Sequence, residues 1–197
     1  MKFSILKTAF LAAVLAAGGC FNEPESAIKT VPAENRVYLN DKNLTSVPSV
    51  NVKADYLNLD RNKLTDVEPV AVLINLKWLR LNDNNISKLP DLSNLKSLRR
   101  IYLRNNRFSE VPETLKDLPA LTDIDMSGNV QLKDIPDWLA AKKNLKNLSF
   151  SRTKVKKLPE NLEAWKSLQS LQLGELDISS EEMARIRKAL PKTAIVF

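Results

Sequence analysis

The sequence contains no histidine and one cysteine, Cys20. A single thiol cannot build a disulfide framework within the chain. Nitrogen–sulfur metal sites and Ser–His or Cys–His nucleophile systems lack the imidazole they need. A carboxylate-only site remains possible. The formal charge is +7 over 197 residues, with acids and bases interleaved. No lysine or arginine run of the nucleic-acid-binding type is present, so no nucleic-acid partner is expected. The apolar run at residues 8–17 is too short to span a bilayer as a mature helix.

That run belongs to a recognisable opening, "MKFSILKTAFLAAVLAAGGCFNEP". Lys2 and Lys7 form a positive segment, the apolar run follows, and small residues lead to Cys20. This is the layout of a secretory signal peptide. Ala17, Gly18, Gly19 and Cys20 resemble the box that ends a bacterial lipoprotein signal, with alanine where leucine is commonest. The resemblance implies cleavage after residue 19 and acylation of Cys20, including palmitate. An ordinary secretory signal with an incidental cysteine is the alternative. Several acyl chains on one residue would anchor the protein stably, at about 0.8 kcal/mol per buried CH₂. In Gram-negative members of that family, an Asp after the cysteine commonly retains the protein in the inner membrane. Phe21 stands there, so the outer membrane is the implied location. Loss of Lys2 and Lys7 with the signal lowers the formal charge from +7 to +5. Residues 20–31 read as a lipidated polar tether, and residues 32–197 as one ordinary-sized domain.

That domain is repetitive. The segments "LKWLRLNDNNISKLP", "LRRIYLRNNRFSEVP" and "LTDIDMSGNVQLKDIP" begin at Leu76, Leu98 and Leu121. Each runs apolar, two residues, apolar, one residue, apolar, two residues, Asn. A further apolar residue follows, and then Leu, Val or Ile before Pro. Copies beginning at Ala54, Leu145 and Leu168 fit with small departures: Thr153 and Leu176 take the Asn place in the last two. A degraded first copy begins at Glu34 with Lys42 there. The seven starts are separated by 20, 22, 22, 23, 24 and 23 residues. This pattern and period resemble the leucine-rich repeat. The implied fold is an α/β solenoid: a horseshoe with a parallel concave β-sheet, short helical or 3₁₀ convex segments and a C-terminal capping helix.

The physical sense of the pattern is visible in Trp78-Leu79-Arg80-Leu81-Asn82. In an extended strand Leu79 and Leu81 point one way, while Trp78, Arg80 and Asn82 point the other. One strand cannot bury its leucines alone, whereas stacked coils about 4.8 Å apart share one core. Asn62, Asn84, Asn106 and Asn129 follow the strands and are expected to turn the chain inward as a buried hydrogen-bonded ladder. On the return segments Leu115, Leu118, Leu162 and Trp165 suit short convex turns, with Trp165 in the core and Trp138 partly exposed. The last segment, 179–197, reads as a cap. Ser179 and Glu182 fit a capping box, Met183, Ile186 and Leu190 form an apolar stripe, and residues 194–197 can add a strand. At the other end the first repeat is expected to cap the core with Val31 and Pro32.

The strand positions facing away from the core are the candidate site. They include Tyr38, Tyr56, Trp78, Arg80, Arg100, Tyr102, Arg104, Asp123 and Asp125, and they hold all three tyrosines of the chain. Tyr, Trp and Arg are enriched at binding hot spots. Aromatics also simply favour strands, and a Trp78–Arg100 cation–π contact could be structural. Asp123 and Asp125 could in principle serve acid–base chemistry or hold Ca²⁺. No other acid lies close along the strand, and Arg100 can neutralise Asp123, so neither a metal nor a catalytic role is assigned. Leucine-rich-repeat proteins usually recognise proteins, so the resemblance implies a non-catalytic, membrane-anchored module binding a protein or peptide by its concave face. A structural envelope lipoprotein without a specific ligand, or a glycan binder, is the alternative. Some bacterial relatives carry a ubiquitin-ligase domain, but this chain has neither room for it nor a second cysteine. No cofactor is expected, and the protein is read as a monomer.

Overall fold

The computed structural model describes residues 33–197. The signal segment 1–19, Cys20, the tether, Val31 and Pro32 lie outside the described residues. Seven coils and a terminal cap contribute eight three-residue strands: β1 (Arg36–Tyr38), β2 (Tyr56–Asn58), β3 (Trp78–Arg80), β4 (Arg100–Tyr102), β5 (Asp123–Asp125), β6 (Asn147–Ser149), β7 (Ser170–Gln172) and β8 (Ala194–Val196). They form one open parallel sheet in sequence order. The register is that of the repeat: Leu57 pairs with Leu79, Leu79 with Ile101, and Ile101 with Ile124.

The middle residue of each strand enters the core. Leu57, Leu79, Ile101, Ile124, Leu148 and Leu171 are fully buried, and one continuous apolar cluster runs from Val47 to Leu190. The return segments are short because each coil has few residues left to close its turn. Three are five-residue 3₁₀ helices, Glu68–Val72, Glu113–Asp117 and Glu163–Ser167, and one is the single α-turn α1 (Asp137–Ala140). Trp165 is fully buried, and its Nε1 donates to the Leu139 carbonyl of the coil before at 3.0 Å. Trp138 is half-buried on the convex flank.

The turn after each strand is held from inside. Asn84 Nδ2 donates to Leu59 O at 3.0 Å in the preceding coil and to Leu81 O at 3.2 Å in its own, while its Oδ1 accepts from Leu64 N at 3.0 Å. Asn62, Asn106 and Asn129 repeat this arrangement, bridging to the carbonyls of Leu39, Leu81 and Leu103. Buried backbone groups need such partners, because an unpaired one loses its hydration without replacement. In the next coil Thr153 reaches only its own coil, donating to Phe150 O at 2.7 Å.

Directly before each ladder position the backbone turns left-handed. Asp41, Arg61, Asp83, Asn105, Gly128, Arg152 and Glu175 have φ between 50° and 70°. Six of these seven residues carry a side chain there, so the tight turn is imposed by the coil rather than by glycine.

The last helix, α2 (Ser180–Ala189), forms half of the anticipated capping box. Ser179 Oγ accepts from Glu182 N at 3.2 Å. The Glu182 side chain does not return to Ser179. Its Oε1 accepts from Leu158 N at 2.8 Å, and its carboxylate is gripped by Arg185 at 2.7 Å. Arg185 also donates to the carbonyls of Leu158, Pro159 and Glu160. A stronger acceptor demand from the neighbouring coil thus outcompetes the local cap. Ile186 and Leu190 are buried and Met183 packs partly against the core. Arg187 lies 4.7 Å over the Phe197 ring, tying helix to final strand.

Candidate functional site

The concave face is built by the first and third residues of every strand. Parallel stacking brings each such residue beside its counterpart one coil on, and inward curvature crowds them further. Consequently the face is largely self-covered.

Its first row is a continuous relay of contacts. The Tyr38 and Tyr56 ring centroids are 5.3 Å apart, and Tyr56 meets Trp78 edge-on at 5.8 Å. The Arg100 guanidinium carbon sits 4.8 Å over the Trp78 ring. Arg100 Nε lies 3.8 Å from Asp123 Oδ2, and Asn147 Nδ2 donates to Asp123 Oδ1 at 2.5 Å. Thr122 Oγ1 donates to the other oxygen of the same carboxylate. The row therefore passes from aromatic to cationic to anionic character between β1 and β6.

A second row crosses it. Arg80 binds Asp60 through Nε and Nη2, both at 2.7 Å, and lies 5.5 Å over the Tyr102 ring. Asp60 Oδ1 also accepts from Asn82 N at 2.8 Å. Burial pushes the Asp60 carboxyl above its ordinary range, opposed by the Arg80 charge and hydrogen bond. Burial likewise raises Asp125, whose Oδ1 accepts from Ser127 N at 2.9 Å and Ser127 Oγ at 2.5 Å. Arg104 approaches Asp125 only through its charge, and its Nε has no hydrogen-bond partner among the described residues.

The candidate residues thus fall into one surface, but unequally. Tyr56, Trp78, Tyr102, Asp123 and Asp125 are buried within it. Arg80, Arg100 and Arg104 are half-buried, and Tyr38 is 51% exposed. The toward-β7 end, Asn147, Ser149, Ser170 and Gln172, is buried and polar. Asp60 is the residue that sequence reasoning left out of the site. Its signal was present, since the strand register puts it one coil before Asn82 and diagonal to Arg80. Among the described residues no group of three or more His, Cys, Asp or Glu could hold a metal ion, and no helix is long and apolar enough to cross a membrane.

One strand per coil, an inward asparagine after it and a short convex return define the fold as a leucine-rich repeat solenoid. The comparisons agree. The leucine rich repeat family matches residues 53–108 and 74–130. A solved leucine-rich repeat protein of Leptospira interrogans superposes with a TM-score of 0.63 at 28% identity, covering 78% of this chain. The match takes in 46% of that protein, so this chain spans about half its length. No curated protein matches the chain.

Proposed function

We propose that this is a non-catalytic recognition module, anchored to a membrane through Cys20, that binds a protein or peptide with its concave face. The supporting observation is the trio Arg80, Arg100 and Arg104, the first two on adjacent strands β3 and β4 and the third two residues past β4. Two of these heads are held between a carboxylate and an aromatic ring before any ligand arrives. Cations ordered in advance lose less entropy on binding. Backbone carbonyls and carboxylates of a peptide laid across β3 and β4 suit them, with the half-exposed Tyr38 at the rim. A glycan would need an open ring face, whereas Tyr56 and Trp78 are buried and Arg100 covers the indole. The self-pairing of the rows favours a second reading, a structural envelope protein whose face is ordered for its own stability.

Acylation of Cys20 and placement at the outer membrane, in a Gram-negative cell, belong to the same proposal. Palmitate labelling lost in Cys20→Ser tests the anchor. Photo-crosslinking in native envelopes tests the face. A photoreactive residue replacing Tyr38 should give a discrete adduct that Arg104→Glu abolishes, and one replacing Lys116 on the convex side should not. Equal adducts at both positions, or none at Tyr38, would leave the structural reading.

A further inference from the structure

The flank that precedes the strands carries a row the function above does not use. Four residues before each strand, the register places Val52, Ile74, Lys96, Pro119, Lys143 and Lys166 in successive coils. All six are exposed. Val52 and Ile74 are 60% and 59% exposed, and Val72 beside them is 65% exposed. The coils touch here, since Asn75 Nδ2 donates to Val52 O at 3.3 Å. One row therefore begins with two bare aliphatic side chains, flanked by a third, and continues with Lys96, Pro119, Lys143 and Lys166.

Lys96 and Lys143 enter no ion pair among the described residues, and Lys166 pairs with Glu163 at 2.7 Å. Of the nearby acids, Asp55 is held by Lys77 at 2.9 Å, Asp117 stands exposed, and Asp137, Glu160 and Glu163 line the groove beside Lys143, where Glu160 is held by Lys157 and Glu163 by Lys166. Some lysines of this flank donate to carbonyls of a neighbouring coil rather than to acids: Lys142 Nζ to Lys116 O and Leu118 O of the coil before, both at 3.0 Å, and Lys96 Nζ to Asp117 O of the coil after at 3.5 Å. The opposite flank differs. In its left-handed column Asp41 pairs with Arg61 at 2.5 Å, and Asp83 accepts from the Asn105 amide at 2.6 Å.

We infer that this flank docks flat on an anionic lipid bilayer, with Val52, Val72 and Ile74 entering the headgroup boundary and Lys96 and Lys143 contacting the headgroups. Three observations choose the bilayer as occupant. First, aliphatic side chains followed by lysines that enter no ion pair among the described residues match an interface that is apolar within and negative outside. Second, the row lies on a side of the horseshoe rather than on a curved face. Its five coil spacings run roughly 24 Å along one line, so a planar surface can meet it at once. Third, the aliphatic end is the end nearest Cys20. That residue is 13 positions before Ala33, a link of at most roughly 45 Å when extended. The inference rests on the anchored reading for its local concentration, not for its chemistry.

The test uses the full chain carrying Cys20→Ser, so that an introduced cysteine is the only one. Ile74→Cys and, on the opposite flank, Gln131→Cys each receive a polarity-sensitive dye. Phosphatidylcholine vesicles are added with and without phosphatidylglycerol. The dye at position 74 should shift to the blue with phosphatidylglycerol, and the dye at 131 should not. Adding Lys96→Gln with Lys143→Gln should weaken the response about 25-fold, at roughly fivefold per lysine. An unmoved dye at 74, equal shifts at both positions, or unchanged affinity in the lysine variant overturns the inference. Val72→Ser, a surface change that leaves the core intact, must also weaken docking. The anchor is read independently by palmitate labelling of the unaltered chain. A labelled protein whose position 74 stays in water refutes the docking alone, and an unlabelled one whose position 74 responds refutes the anchor alone.

Discussion

Replacing Asn106 by leucine would test whether the ladder is structural bonding or only turn preference. Asn106 is buried, and its amide serves two coils. Oδ1 accepts from Ile86 N at 3.0 Å, and Nδ2 donates to Leu81 O at 2.8 Å and Leu103 O at 3.1 Å. Leucine has nearly the same volume, so the change removes bonds rather than packing. Ile86 N would be left without a partner in a region water does not reach, while Leu81 O and Leu103 O keep Asn84 Nδ2 and Asn129 Nδ2. At about 1–3 kcal/mol for an unsatisfied buried group, the loss should be about 1–3 kcal/mol. Asn106→Thr should restore the bond within its own coil, as Thr153 makes it naturally, and fall between. Urea unfolding followed by tryptophan fluorescence measures both, with the slope checked for a change in cooperativity. A leucine variant within about 0.5 kcal/mol of the parent, the level of an inert surface change, would refute the ladder as a source of stability.

The other predictions concern the turn, the cap and the buried acids. Gly128 has φ +70°, and a Cβ there would lie 2.0 Å from Asn105 Oδ1, so Gly128→Ala should cost about 1–3 kcal/mol in the same melts. Arg152→Gly, at φ 56°, should instead be neutral or stabilising by up to about 1 kcal/mol. Glu182→Ala leaves Leu158 N and the Arg185 head without their carboxylate. It should cost about 1–3 kcal/mol and raise hydrogen exchange at Leu158 first, whereas uniform protection would show that α2 is held by packing alone. Asp125 is raised by burial, so the folded state binds its proton more tightly than the unfolded chain. Its contribution is fully present below the unfolded carboxylate range and is lost as pH rises through the folded value. Asp125→Asn should therefore flatten the stability–pH curve just above pH 4, and an unchanged curve would mean that Asp125 stays ionised.

Much of this was legible because the repeat is its own alignment. A period-two strand inside a fixed spacing tells Leu79 from Arg80, and identical offsets across coils place Trp78 beside Arg100. The same logic found Trp165 in the core. What escaped depends on geometry that no spacing encodes. The burial of Tyr56 and Trp78 follows from inward curvature, which crowds side chains that a flat sheet would leave open. The left-handed column escaped because it is occupied by Asp, Arg, Asn, Gly and Glu, residues with no shared chemistry. Glu182 looked like a capping partner because Ser179 is three residues away. Its real partner, Leu158 N, lies 24 residues earlier, on a neighbouring coil whose needs a local motif does not register.

The change of device along the solenoid has a mechanical consequence. Coils two to five are joined by asparagines that reach backward into the preceding coil, while Thr153 and Leu176 make no such reach. Where the asparagines stop, Glu182 and Arg185 take over the joint. A pull entering at the first coil would meet the asparagine rungs one after another, as a zip does, and each would have to part before the next was loaded. A pull entering at Phe197 would meet one concentrated clasp. The chain is thus graded under tension: its first end should yield in small steps, and its last end should hold and then give way together.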